Sequence, residues 1–586
     1  MESLLFLLLW GTFAYFYQST QQNEAARFDQ TRAIALDHKL AIDDYWWNSA
    51  DVIRYHKNGQ EHIYPNKAPG TTLLAVPVFW LLTHLLKPVM AAGLPEWIYW
   101  HAVTYLTILL TIGLVSALAA IATYRVLKCL TDDPGFSVFA VLAIWLGTMA
   151  FPFSTLFFSH QLAAALLAIS FWLLFTLRRE ALDGRTPLDQ AASSEEPQTG
   201  ASRTMEAVEG MVEERDSQPS ASREKLRWFA LVCLAGALEG FSVTTEYPTA
   251  LLVAILSAYC LWVIHRANIN WKAKGKLLAA YVVGLAAGGS FLVWYNLEAF
   301  GKVFYVPYEA YAGASSSFPV YSRGFLGMRW PGFGQFLHAL AAITIKPPIG
   351  MLYIGVENWR VYASSPVLWL TLPGLAIMLW RRTLRPEGLV VAAMIVAYVL
   401  FLTSYGNSIY DWSGAAYIGP RHLVPLLPFL AFPIYYGGRK FKYAFYPLLA
   451  ISIFYMLLAT AVEPRVPYPF DNPPRDSFLP DYLHGRLAQN TDSLFDPEHR
   501  KLTVDSTAFN LAKLARVPRP YQLAPLMVWW FLIGGALLFV AAPRSQLTQT
   551  AGEIGHGPGI NGDGFVDETS EPHFETGEPE NVNHAT

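Results

Sequence analysis

The run "LTILLTIGLVSALAAIA", residues 106–122, contains no charged residue, and runs like it recur along much of the chain. As a helix of about 20 residues, such a run crosses about 30 Å of hydrocarbon. Inside lipid the backbone must satisfy its own hydrogen bonds, which leaves only helices and closed barrels, and runs of this length are helical. Of 586 residues, 53% are hydrophobic and 15% aromatic, which excludes a soluble protein of this size. The sequence therefore predicts an all-α polytopic membrane protein of about twelve spans. They are expected at 3–17, 97–124, 136–152, 160–177, 228–243, 248–264, 277–298, 365–380, 387–403, 421–437, 443–460 and 524–541. The first run, "LLFLLLWGTFAYFY", lacks a basic leader and a small-residue cleavage site, so it reads as a retained span.

Lysine and arginine set the orientation. Arg125, Lys128, Arg266, Lys272, Lys274, Lys276, Arg381, Arg382, Arg385, Arg439, Lys440 and Lys442 fall in alternate short loops, whereas "FPFSTLFFS", "TTEY" and "TSYGNSIYDWSGAAYIGP" contain none. The first set is cytoplasmic, and so are both termini. This count holds only if residues 71–87, "TTLLAVPVFWLLTHLLK", do not span, so they are read as a helix along the outer membrane surface. The chain then divides into an N-terminal membrane module, 1–178, with a first outer segment at 18–96. A polar linker at 179–227, expected to be disordered and cytoplasmic, leads to a second membrane module at 228–541 with outer segments 299–364 and 461–523. The tail at 542–586 is expected to be disordered. Its "GINGDGFVDETSE" places Asn561, Asp563, Gly564 and Asp567 as in a calcium loop. Gly559 and Ser570 stand where the first and last ligands belong, so the segment reads as a flexible acidic tail.

A net charge of −3 without a basic tract gives no reason to expect nucleic acid, and Cys129, Cys233 and Cys260 form no metal or disulfide pattern. There is no phosphate loop of the Walker type, no dinucleotide fingerprint and no His-Glu-x-x-His helix. Polar residues gather on the outer side instead. The first outer segment carries Glu24, Arg27, Asp29, Asp43, Asp44, Asp51 and Lys67. The short outer loops add His160, Gln161, Glu246, Tyr247, Asp411, Arg421 and His422. Ionisable groups at membrane depth are costly unless paired or facing water, so their convergence marks a site. An enzyme on that side has no nucleotide-sugar supply, and an activated substrate would arrive through the bilayer on a lipid phosphate.

The stretches "NEAARF" (23–28) and "YPNKAPG" (64–70) resemble, in order and separation, the first outer loop of membrane glycosyltransferases with the C-type fold. These include the protein O-mannosyltransferases and the bacterial transferases that attach aminoarabinose to lipid A. "GPRHLVPLLPFL" (419–430) is similar to a feature of bacterial members. The resemblance implies a C-type fold and transfer of a sugar from a polyprenyl-phosphate donor to an extracytoplasmic acceptor, whether protein, lipid or polysaccharide. Two positions depart from the family. Asn23 stands where the family has its leading aspartate, and an amide cannot take a proton. His160, in "FFSHQLAAA", stands where the family has a second acidic residue.

On this reading Glu24 or Asp51 is the general base, while Lys67, Arg421 and His422 hold the donor phosphate. Asn23, Arg27 and His160 complete the site. The plain alternatives are a solvated carboxylate for Glu24, interface snorkelling for Arg421, a satisfied helix-end polar group for each histidine, and a turn residue for Glu246. A divalent metal is the one cofactor considered, since a neutral imidazole at 160 is still a ligand. The expected location is the bacterial inner membrane, with an extracytoplasmic active site. The alternative functions are a transporter or flippase of lipid-linked saccharides, or a non-catalytic protein of envelope assembly. A transporter would call for broken helices or paired repeats with polar groups at the midplane, and neither is evident in the sequence.

Overall fold

Helices dominate the computed structural model, which describes residues 1–93, 95–183, 221–308, 327–414, 418–465, 470–489 and 507–541. Among those residues, nine helices are long and apolar enough to cross a membrane. They run over Gly70–Ala91, Glu96–Leu130, Ser159–Leu182, Leu226–Thr245, Tyr247–Arg266, Trp271–Phe300, Arg385–Ser404, Lys442–Val462 and Arg519–Ala541. The protein is an integral membrane protein of the all-α polytopic class, and Met1–Val540 form one compact unit.

Eight of the nine coincide with expected spans. The ninth is Gly70–Ala91, which was expected to lie on the surface. It forms one helix of 22 residues despite Pro77 and Pro88, and by length and composition it meets the same measure as the others. Three further expected spans are shorter helices: Glu2–Ala14, Pro134–Trp145 and Pro366–Trp380. The first two end early for local reasons. After Ala14 the chain extends into Phe16–Tyr17, which pairs with Phe509–Asn510. After Trp145 comes Gly147, followed by a separate short helix at Ala150–Phe153. The expected span at 421–437 begins as a 3₁₀ turn, Arg421–Leu426, and only then becomes the α-helix Leu427–Lys440. Pro425 and Pro428 withhold the amide donors a continuous α-helix needs there.

The polar linker is shorter than expected, because helices Ser159–Asp183 and Ala221–Thr245 extend into both its ends. Its centre, 184–220, lies outside the described residues, as do the tail from 542 and its calcium-like segment.

Helices Ala221–Thr245 and Trp271–Phe300 approach so closely that glycine is required at the crossing. A Cβ on Gly284 would collide with the Cys233 carbonyl oxygen, and one on Gly288 with the Ala237 carbonyl oxygen. Gly236 and Gly240 face the same contact from the other helix. Small residues spaced by four let helix backbones meet, and close packing replaces the hydrophobic drive that lipid cannot supply. Two carboxyls lie buried within this helical body. Glu239 accepts from Ser170 Oγ at 2.7 Å and from the Tyr281 hydroxyl. Glu387 accepts from the Tyr259 hydroxyl at 2.9 Å and lies 3.3 Å from Arg178 Nε. Cys129, Cys233 and Cys260 form no disulfide with one another.

Within 18–96, helix Gln22–Arg32 is followed by a hairpin, Val52–Lys57 paired with Gln60–Pro65. Asn58 and Gly59 turn it, both at positive φ, which is the turn that suits the twist of paired strands. Val52 pairs with Pro65, so the hairpin brings its two flanks, Asp51 and Lys67, side by side.

The crossing supplies a test. G284A should lower the apparent melting temperature in detergent by a loss of about 1–3 kcal/mol, the usual cost of overpacking. G289A is the control, having nothing within 4 Å of the added methyl, and it should be close to neutral.

Candidate functional site

Lys67 is 7% exposed, and its Nζ lies 3.3 Å from Asp51 Oδ1. Asn66 Nδ2 donates to the same carboxylate oxygen at 3.3 Å, and Lys67 also sits 5.5 Å over the Tyr308 ring. Two more cations join them. Arg421 acts electrostatically on both Asp51 and Lys67, and Arg27 acts on Lys67. Arg421 stacks over Phe158 at 5.2 Å, and its buried Nε has no hydrogen-bond partner. Gly414, at φ +65°, makes room for that guanidinium, since a Cβ there would collide with Nε.

Arg27 is buried, and Glu246 is the largest of the groups that offset the cost of burying its charge. The guanidinium donates to Asn23 Oδ1 through Nη1 and to Ser159 Oγ through Nη2 at 2.9 Å. Ser159 in turn donates to Glu246 Oε2 at 2.5 Å. Glu246 Oε2 lies 3.8 Å from His160 Nδ1, and His160 Nε2 lies 3.3 Å from His422 Nδ1. Among the described residues, three cations, Arg27, Lys67 and Arg421, gather here against two carboxylates, Asp51 and Glu246. That excess of positive charge, largely shielded from water, suits an anion with several acceptor oxygens.

Of the residues singled out from sequence, Asp51, Lys67, Arg27, His160, Arg421 and His422 meet here, and Asn23 orients Arg27. Glu24 has other work. Arg465 Nη1 donates to Glu24 Oε1 at 2.5 Å, and the Gln21 amide donates to its Oε2, forming a helix capping box. The remaining acids are also engaged locally. Asp43 binds His62 and the Ile63 amide, Asp44 binds Lys39, Asp29 accepts from Asn48, and Asp411 caps its own short helix. Glu246, whose plain alternative was a turn residue, also faces this cluster, as does Ser159, and neither Ser159 nor Arg465 was singled out from sequence. Glu246 sits at the break between two helices, just before Tyr247-Pro248, and that break was the readable signal. It also brings a carboxylate beside His160, where the sequence itself has none. Among the described residues, His160, Glu246 and His422 form a group that could hold a metal ion.

Burial lowers Lys67 to about 8, further aided by Arg421 and Arg27, although Asp51 opposes the shift. For Asp51, burial raises the pKa, but Lys67 and Arg421 outweigh it and leave it below the usual carboxylate value.

No protein-family model matches the chain, and no curated protein matches its sequence. Among solved structures, the chain is similar to the crystal structure of ArnT from Cupriavidus metallidurans bound to undecaprenyl phosphate. The two share 13% identity over 82% of this chain and 68% of that one, with a TM-score of 0.44. So distant a likeness leaves function to be argued from the pocket.

Two outcomes follow from these side chains. Lys67 carries its charge below about pH 8 and loses it above. Binding of a phosphate-bearing ligand should therefore weaken as pH rises through that value, and K67R should flatten the profile, as a binding titration across pH would read. R465A should leave Glu24 buried without its ion-pair partner and lower stability by about 3–5 kcal/mol. Pairing it with E24Q should recover much of that loss in a thermal melt.

Proposed function

We propose that the protein is a membrane glycosyltransferase that takes its sugar from a polyprenyl-phosphate donor and delivers it to an acceptor on the extracytoplasmic side of a bacterial inner membrane. The observation that carries the reading is the buried meeting of Lys67, Arg421 and Arg27 around Asp51. In this reading the donor's polyprenyl tail lies in lipid, and its phosphate enters among the three cations. The helix Gly70–Ala91 begins three residues after Lys67, so the ammonium stands where a lipid headgroup would lie.

Reaction proceeds by attack of an acceptor hydroxyl on the anomeric carbon. The bond from that carbon to the phosphate oxygen breaks, and its electron pair stays on the phosphate, which leaves as polyprenyl phosphate. Lys67, Arg421 and Arg27 stabilise the negative charge gathering on the leaving group, an effect strengthened where water is excluded. Asp51 takes the hydroxyl proton. At rest it is a poor base, because Lys67 and Arg421 hold it ionised. A phosphate that draws those cations to itself raises the basicity of Asp51, so the donor activates its own base. Between the two carboxylates considered from sequence, Asp51 fits this role because Glu24 is taken up by Arg465. A single displacement of this kind inverts the anomeric centre.

The purified protein should transfer sugar from an undecaprenyl-phosphate sugar to added acceptors. D51N and K67A should each lower turnover by about 10²–10³-fold, the scale for losing a base or a leaving-group contact. E24Q should keep most of the activity if its melt matches wild type. Wild-type turnover in both D51N and K67A would overturn the assignment.

A further inference from the structure

Beside the cation cluster lies a second constellation that the transfer step does not use. His160 opens the helix Ser159–Asp183, His422 lies in the 3₁₀ turn Arg421–Leu426, and Glu246 sits at the break before Tyr247. Each offers one donor atom, and the three atoms lie within 4.8 Å of one another. The edge is informative. A tetrahedral ion with bonds of about 2.05 Å to nitrogen separates two ligands by about 3.3 Å. His160 Nε2 and His422 Nδ1 are 3.3 Å apart. The other nitrogen of His160 faces Ser159 Oγ at 3.5 Å and Glu246 Oε2 at 3.8 Å. Ser159 is the outer polar partner that steadies the ring on that side, and the inward nitrogen, now hydrogen-bonded to His422, is the one an ion would share with it. Glu246 Oε2 already accepts from Ser159, so Oε1 is the oxygen left for an ion.

We propose that His160, Glu246 and His422 bind a divalent first-row transition ion of the Zn²⁺ type, with its fourth position open to an oxygen of a bound phosphate. Two imidazoles and one carboxylate with an open position make a donor set that suits such ions and is poor for Mg²⁺ or Ca²⁺. The charge balance links this ion to the neighbouring pocket. Arg421, Arg27 and Lys67 all act electrostatically on His160 and disfavour a further cation there. A phosphate entering among them removes that penalty, so ion and phosphate should each tighten the other's binding by the same factor. The open-position clause rests on the phosphate-donor reading above, whereas the three-residue site does not.

Co²⁺ serves as the probe because its visible absorption reports ligand type and geometry. The full-length protein in detergent should bind one Co²⁺ per chain with a tetrahedral nitrogen-containing spectrum, and Zn²⁺ should displace it. H160Q and H422Q should abolish that spectrum, while H265Q, at a distant helix end, should leave it intact. H422D retains a ligand and should keep Co²⁺ with an altered spectrum, which a merely misfolded variant would not. Added undecaprenyl phosphate should tighten Co²⁺ by about 5–150-fold, the usual range of coupling between sites. The metal site is overturned if wild type binds no Co²⁺, or if H160Q and H422Q bind it as wild type does. If Co²⁺ binds as expected but undecaprenyl phosphate does not bind at all, the three-residue site stands and the donor reading falls.

Discussion

Much of the region around Lys67 is arranged around a positive charge that is hard to bury. Lys67, Arg421 and Arg27 share a confined volume in which Asp51 and Glu246 supply only part of the compensation. Taking ions out of water is expensive, and mutual repulsion adds to the cost. The surroundings are built accordingly. Asn66 steadies Asp51, Asn23 and Ser159 hold Arg27, Phe158 lies under Arg421, and Tyr308 lies under Lys67. A set of supports this extensive, drawn from several distant segments, is hard to explain by stability alone. It is readily explained by an anion that completes the balance when it arrives.

Much of this architecture was readable in the sequence, for physical reasons. Uncharged runs can only be helices in lipid, so eight of the nine long helices among the described residues followed directly, and Gly70–Ala91, expected on the surface, did not. Lys67 and Arg421 are far apart in the chain, yet both stand at the edges of apolar runs expected on one side of the membrane, and the fold brings them together. What hydropathy could not convey was local. Pro425 and Pro428 turn the start of one expected span into a 3₁₀ segment, and pairing with Phe509 ends the first helix early. Nor could it disclose Glu239 and Glu387, which look like blemishes in apolar runs until Tyr281, Ser170, Tyr259 and Arg178 are seen around them.

The site was legible in its cations and less so in its acids. Arginines and lysines beside lipid are few, so each carries information. Acidic residues in the first outer segment are plentiful, and sequence could not say which one faces the pocket. Glu24 precedes Arg27 on a helix that offers different faces to its surroundings. Residues 23 and 27 share one face, whereas Glu24 meets Arg465, a partner some 440 positions away that no local pattern announces. Glu246 was undervalued because its importance comes from what the fold lays against it, chiefly Ser159 and His160.

The hairpin between Asp51 and Lys67 has a mechanical consequence. Because its strands are zipped from Val52 against Pro65 out to Lys57 against Gln60, the Asp51 carboxylate and the Lys67 ammonium are mounted on one stiff arm. They cannot drift apart independently, and a tilt of the arm carries them together. Its far end is tethered, with Lys57 Nζ donating to the Glu298 carbonyl and the Tyr55 hydroxyl to that of Phe300. Both carbonyls belong to the final turn of the long helix Trp271–Phe300, so a shift of that helix would reach Asp51 and Lys67 as a single coordinated movement.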